Sequence, residues 1–182
     1  MSATRRRDIT ASPDGLALPP GEMGKGDDEM HVDPRDFTDE ALRKVAPACA
    51  DCGCSGQVRI AAGPEIYPDR SDLWRHREGF ERWWWKCDGC GGYVGTHKGT
   101  ITPLGSPAGP ETRVARQEAH AAFDPLWQRK ASKSGMSISK ARGKGYAWLA
   151  EQLGIDRRDC HIGHMNAEMA RRVTVICRGV RK

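Results

Sequence analysis

Four cysteines are the residues best placed to do chemistry. Cys49-Ala50-Asp51-Cys52 and Cys87-Asp88-Gly89-Cys90 are both C-x2-C, and 34 residues (53 to 86) separate them. Two residues between thiols let the backbone turn tightly, so both sulfurs of a pair face one ion. Two such pairs make a tetrahedral four-thiolate shell. A shell filled by protein ligands leaves no open position for a substrate, so one Zn2+ held here is expected to be structural. Redox pairing, or two unrelated thiol pairs, is the competing reading. Cys54 cannot replace Cys52 without changing the turn and is read as a bystander. His97, seven residues beyond Cys90, is a weaker candidate ligand.

Cys160, His161, His164 and Cys177 form a second possible set. It contains no C-x2-C, and neighbouring Cys160 and His161 would meet one ion with awkward geometry. These residues are expected to be packed or hydrogen-bonded in the fold. The sequence has no paired-carboxylate signature, nucleophile elbow or P-loop. No catalytic residue is assigned, and an enzyme is not expected.

The elements around the cysteines must hold the two turns together. A short helix is expected over 36–45, capped by Thr38 or Asp36, with Phe37, Ala41, Leu42 and Val45 on one face and Pro47 ending it. Residues 57–62 alternate as a strand, with Val58 and Ile60 on one face. Gly63-Pro64 breaks it, and 65–67 (EIY) is expected to return as a hairpin strand. Residues 68–80 read as a charged loop or an inserted helical turn. Strands at 81–86 and 92–96 enter and leave the second turn, the order a zinc ribbon needs. In Trp83-Trp84-Trp85, Trp84 faces away from its neighbours. One face can shield the thiolates; the other either stacks bases or packs on the C-terminal helices.

Beyond the ribbon, 97–110 reads as a Gly/Pro-rich linker. Pro110 and Glu111 suit the first turn of a helix over 111–123. Asp124-Pro125 is expected to restart the chain as N-cap and N1. Residues 131–139 read as a loop. The spacing of Tyr146, Leu149, Ala150 and Leu153 predicts a helix over 140–153, with Gly154 at C′ and Ile155 at C″. A last helix is expected over 166–177, capped by Asn166. The last two helices resemble helix-turn-helix in outline, but 12 residues separate them, too many for the usual turn.

Composition bounds the partners. The chain has 182 residues, hydrophobic residues are 38%, and Gly and Pro number 21 and 11, so the core must be modest and a metal staple useful. Residues 1–33 are poor in large apolar groups and read as a tail, with Arg5-Arg6-Arg7 a small basic cluster within it. No secretory h-region or run of about 18 apolar residues appears, so a reducing cytoplasm and no membrane span are expected. Residues 1–46 carry 7 Lys/Arg against 10 Asp/Glu, 47–110 carry 7 against 7, and 111–182 carry 15 against 7. The basic excess lies in the last third, which points to a polyanion such as nucleic acid, or to a solvated helical surface.

Several motifs resemble one family. They are C-x2-C at 49–52, WKCDGCGGYVGTHKGTITPLG from Trp85, RQEAHAAFDPLW from Arg116 to Trp127, GYAWLAEQLGI from Gly145, and CHIG at 160–163. Together they cover most of residues 47–177, and they resemble a zinc-finger-containing family of unknown function found largely in phages and prophage-bearing bacteria. The resemblance implies zinc and a phage-like setting. It also implies that His97, His120 and His161 belong to recurring motifs, and it supplies no reaction.

The sequence therefore predicts an α+β protein: a mostly disordered tail with one short helix (1–46), a zinc ribbon with short antiparallel strands and its linker (47–110), and a basic helical region packed on it (111–182). The expected ligands of one structural Zn2+ are Cys49, Cys52, Cys87 and Cys90. The leading function is binding of nucleic acid, most simply DNA, as an accessory or regulatory protein. Arg113, Arg116, Lys130, Lys140, Arg142, Lys144, Arg157, Arg158, Arg171 and Arg172 would contact phosphate. The alternative partner is a host protein, such as a polymerase or defence nuclease, bound or blocked by a phage adaptor.

Overall fold

The structure, a computed structural model, describes residues 31–180. All but the last three residues of the expected tail (1–33), and the whole Arg5-Arg6-Arg7 cluster, lie outside the described residues. Three strands form one antiparallel sheet in the order β1-β2-β3: β1 (Val58–Ala62), β2 (Trp83–Cys87) and β3 (Tyr93–Gly95). Val58 lies opposite Cys87 and Ala62 opposite Trp83. The strand leaving the first cysteine turn thus runs beside the strand entering the second, and this register brings the two turns to one end of the sheet. Helix α1 (Asp39–Val45) precedes it, and the Thr38 hydroxyl accepts from the Ala41 amide at 3.2 Å as N-cap.

The expected hairpin strand at 65–67 does not form. Gly63–Ile66 is one helical turn, α2, with Pro64 in its first turn. β1 pairs with β2 instead, and Trp74 closes over the turn. A Cβ at Gly63 would lie 2.6 Å from the Trp74 ring, whose Nε1 donates to the Tyr67 carbonyl at 2.7 Å. The Gly63-Pro64 break therefore turns the chain away from the sheet rather than back along it.

The stretch expected as a surface linker is packed. Gly105, Ser106, Pro107 and Ala108 are buried, Tyr93 bridges Ala108, and the Ser106 amide donates to Gly163 at 2.9 Å. This strap ties the ribbon to the helices.

Three helices follow: α3 (Pro110–Ser134), α4 (Ile138–Leu153) and α5 (Ala167–Gly179). α3 runs straight past Asp124-Pro125, where a restart was expected. Ala119, Ala122 and Phe123 before the proline and Leu126, Trp127 and Ala131 after it share the packed face. Tertiary burial carries the helix across a residue with no amide to donate. Asp124 accepts from Trp127 Nε1 at 3.0 Å rather than capping a new helix. The turn to α4 is correspondingly short, with Gly135 left-handed at φ 62°. α4 ends at Gly154, also left-handed, and the Ile155 amide returns to Ala150 at 3.1 Å. Asn166 caps α5 by accepting from Met169 at 2.9 Å. α5 packs chiefly on α3 rather than on α4, so the last two helices do not pack as a helix-turn-helix pair.

Two separate cores result. Phe123, Leu149, Ile162 and Val173 are fully buried among the helices, and burying such a side chain is worth about 1.5–3 kcal/mol. The ribbon's own cluster is Cys49, Val58, Trp85 and Cys87, with Leu42 of α1 against it. The smaller core needs another source of stability, and the cysteines supply its place.

Candidate functional site

The two turns set four sulfurs together. The Sγ atoms of Cys49, Cys52, Cys87 and Cys90 all lie within 4.8 Å of one another. Cys49 is 3.4 Å from Cys90 and Cys52 is 3.6 Å from Cys87. Zn–S bonds of about 2.3 Å at tetrahedral angles put the sulfurs about 3.8 Å apart, so the set fits zinc. Backbone amides prepare the thiolates. Burial pushes the Cys49 thiol up, but the amides of Cys52 and Asp51 and the thiols of Cys90 and Cys87 outweigh it, so it titrates below its ordinary range. At Cys90 the Gly92 amide favours the thiolate. Burial and the facing Cys49 and Cys87 sulfurs oppose it, and the thiol is pushed up to about 11. Like charges at this spacing resist ionising together, and a bound dication removes that resistance. When bound, zinc would cross-link the two turns through these four residues and supply no open position for chemistry.

Cys54 stands closer than a bystander should. Its sulfur is 3.1 Å from Cys87 and touches that of Cys52. His97 is exposed and lies outside the cluster.

The tryptophans divide as the strand pleat requires, but both faces are covered. Trp85 is wholly buried in the cysteine cluster, and its Nε1 donates to Ile101 at 2.8 Å. Arg35 lies 5.4 Å over the Trp83 ring. Trp84 is buried and packs edge-to-face with Tyr67, centroids 5.6 Å apart, so it offers no open stacking platform.

A residue that sequence reasoning missed is Asp51, between the first two ligands. Its carboxylate accepts from the Gly109 amide at 2.6 Å and the Thr112 hydroxyl at 2.5 Å. An acid placed at the start of α3 favours the helix dipole, so the metal-binding turn is fastened directly to the helical region. Nothing in the spacing of the cysteines marks that contact, which spans 58 residues of chain.

The model of the zinc-finger-containing domain DUF3268 matches residues 48–180. The chain belongs to that family. No curated protein and no solved structure matches it.

In this zinc-finger-containing domain the second histidine–cysteine set gathers no ligand group. Among the described residues, the four cysteines alone bring three or more such atoms together. Cys160 and Cys177 are buried in the helical core. His161 stacks on Tyr146, with centroids 5.7 Å apart and planes 3° from parallel, and His164 contacts Ser106 Oγ at 3.1 Å. Burial, aided by nearby His164, Arg142, His120 and Arg157, pushes His161 down to about 4.

The ten basic residues separate by place. Arg116 is buried and donates to the carbonyls of Met165 at 2.7 Å and Ser106 at 2.8 Å, so it is a strut and not a phosphate contact. Arg113 is turned toward the ribbon, 4.0 Å over the Tyr93 ring. Arg158 pairs with Asp156, and Arg171 with Glu111. Arg172 reaches the Leu153 carbonyl at 3.5 Å. Arg142 and Arg157 flank Tyr146 at 5.7 and 5.3 Å. Lys130 lies in the last two turns of α3, and Lys140, Arg142 and Lys144 lie in the first two turns of α4, all exposed; Lys130 and Lys144 line one groove. Among the described residues no helix is long and apolar enough to cross a membrane.

Proposed function

We propose that the domain is a zinc-stabilised nucleic-acid-binding protein with an accessory or regulatory role in a phage-like setting, and that the α3–α4 hairpin is its contact surface. One observation carries the reading. From Pro125 to Ala150 the chain has six cations (Arg129, Lys130, Lys133, Lys140, Arg142, Lys144) and no Asp or Glu. All six are exposed, and none has an ion pair among those found in the described residues. A one-sign surface without internal neutralisation is what a phosphate backbone complements. The ribbon's part is indirect: its metal-binding turn, through Asp51, fixes the first turn of the helix that carries half the surface.

The test is binding of labelled single-stranded and duplex oligonucleotides by the zinc-loaded chain, followed by fluorescence anisotropy as salt rises. Binding at about 50 mM salt that weakens steeply toward 200 mM supports the reading. No binding to either form at about 50 mM salt overturns it.

A further inference from the structure

We infer that the groove between α3 and α4 seats a nucleobase, so that the hairpin prefers single-stranded nucleic acid; this rests on the proposed function above. The groove has a volume of about 150 Å³, and Trp127 and Trp148 line it from the two helices. Both rings are only partly buried against the helical core. A cavity of about this size admits a benzene-sized ring. Gly145 permits the approach of the helices here, because a Cβ on it would lie 3.0 Å from Trp127 Cβ and 3.2 Å from Phe123.

Charge chooses the occupant. Lys130 and Lys144 are the charged residues lining the groove, one from each helix, and no acidic residue lines it. An apolar aromatic slot with cations at its rim matches a base that stacks while its phosphates meet the lysines. A base paired inside a duplex cannot enter, so the groove discriminates by strand state. It carries no pattern of hydrogen-bond donors for reading sequence, and stacking of this kind tolerates any base. The three consecutive tryptophans of β2 are buried, whereas the partly exposed Trp127 and Trp148 belong to the helices.

The test uses the full zinc-loaded chain, with oligo-dT, oligo-U and a duplex of equal length. Trp148→Leu keeps apolar volume and removes the flat face. It should weaken single-strand binding about 10- to 100-fold and duplex binding less than about 3-fold, while Trp148→Phe restores part of the loss. Wild-type chain irradiated with an oligonucleotide carrying 5-iodouracil should cross-link in the peptides holding Trp127 or Trp148, a readout that needs no variant to fold. Cross-links elsewhere only, or unchanged single-strand affinity of folded Trp148→Leu, overturn the groove while the hairpin reading stands. A wild-type chain that binds no nucleic acid overturns both. If a second copy fills the groove instead, sedimentation without nucleic acid shows a dimer that Trp148→Leu dissociates, and the inference falls.

Discussion

Arg116 Nε donates to the carbonyl oxygen of Met165 at 2.7 Å, across 49 residues of chain. Its Nη1 donates to Ser106 at 2.8 Å. One buried guanidinium therefore joins α3, the strap from the ribbon and the start of α5. Burial holds it below its ordinary range, with Asp51 and Cys49 opposing that shift. Replacing Arg116 with Met should leave two carbonyls unpaired and cost about 2–4 kcal/mol, read as a lower urea midpoint. The salt dependence of nucleic-acid binding should not change. A shallower salt slope would return Arg116 to the contact surface.

The cysteines give a second expectation. Serine at Cys49, Cys52, Cys87 or Cys90 should each drop bound zinc from one per chain toward none, while Cys54→Ser should keep it, because only the C-x2-C spacing closes both turns on one ion. Chelation should abolish the near-ultraviolet dichroism of the Trp85 environment and leave most of the helical signal, since the helices have their own core. Metal quantification decides the first point. Zinc lost equally from Cys54→Ser would place that sulfur in the shell.

Local signals made much of this legible. The cysteine spacing, the caps at Thr38 and Asn166, and the glycine after α4 read directly, because each depends on residues close in sequence. The failures all needed distant partners. Asp124-Pro125 carries a strong start signal, yet the core face of α3 continues on both sides of it. The EIY segment has strand character, but β1's partner is the more distant β2, where Val58 pairs with Cys87, 29 residues on. The Gly/Pro-rich stretch looked like surface because its composition hides the close seat of Gly105 on Gly163, where a Cβ would fall 2.2 Å from the carbonyl oxygen. The basic excess was visible as a count. Which cations were struts, which were paired and which were free was not, since burial and ion pairs are tertiary facts.

His161 predicts a pH dependence. Its folded pKa, about 4, lies below the unfolded value of 6.5. The unfolded chain therefore takes up a proton that the folded chain refuses. The stability from the neutral ring is fully present above 6.5 and is lost as pH falls from there toward 4. His164 shifts in the same direction, by burial and then Arg116. The His161 ring is partly open to water, so its share is about 1–2 kcal/mol. His161→Phe keeps the stack on Tyr146 and should lose less stability than wild type between pH 7 and pH 5, measured by urea unfolding with zinc present. Equal losses in the two proteins would remove His161 from the account.

The salt slope separates free cations from paired ones. Each phosphate contact contributes about 0.7 to the logarithmic slope on a single strand and about 0.9 on a duplex. Lys130→Ala, Lys140→Ala and Lys144→Ala should each flatten the slope by up to about that amount and weaken binding at low salt. Arg158→Ala and Arg171→Ala should change it little, because Asp156 and Glu111 already neutralise those guanidinium groups. Competition with an acidic partner on the same chain is what distinguishes the two sets. Equal effects from all five would mean that net charge governs binding; effects confined to the hairpin would mean that position does.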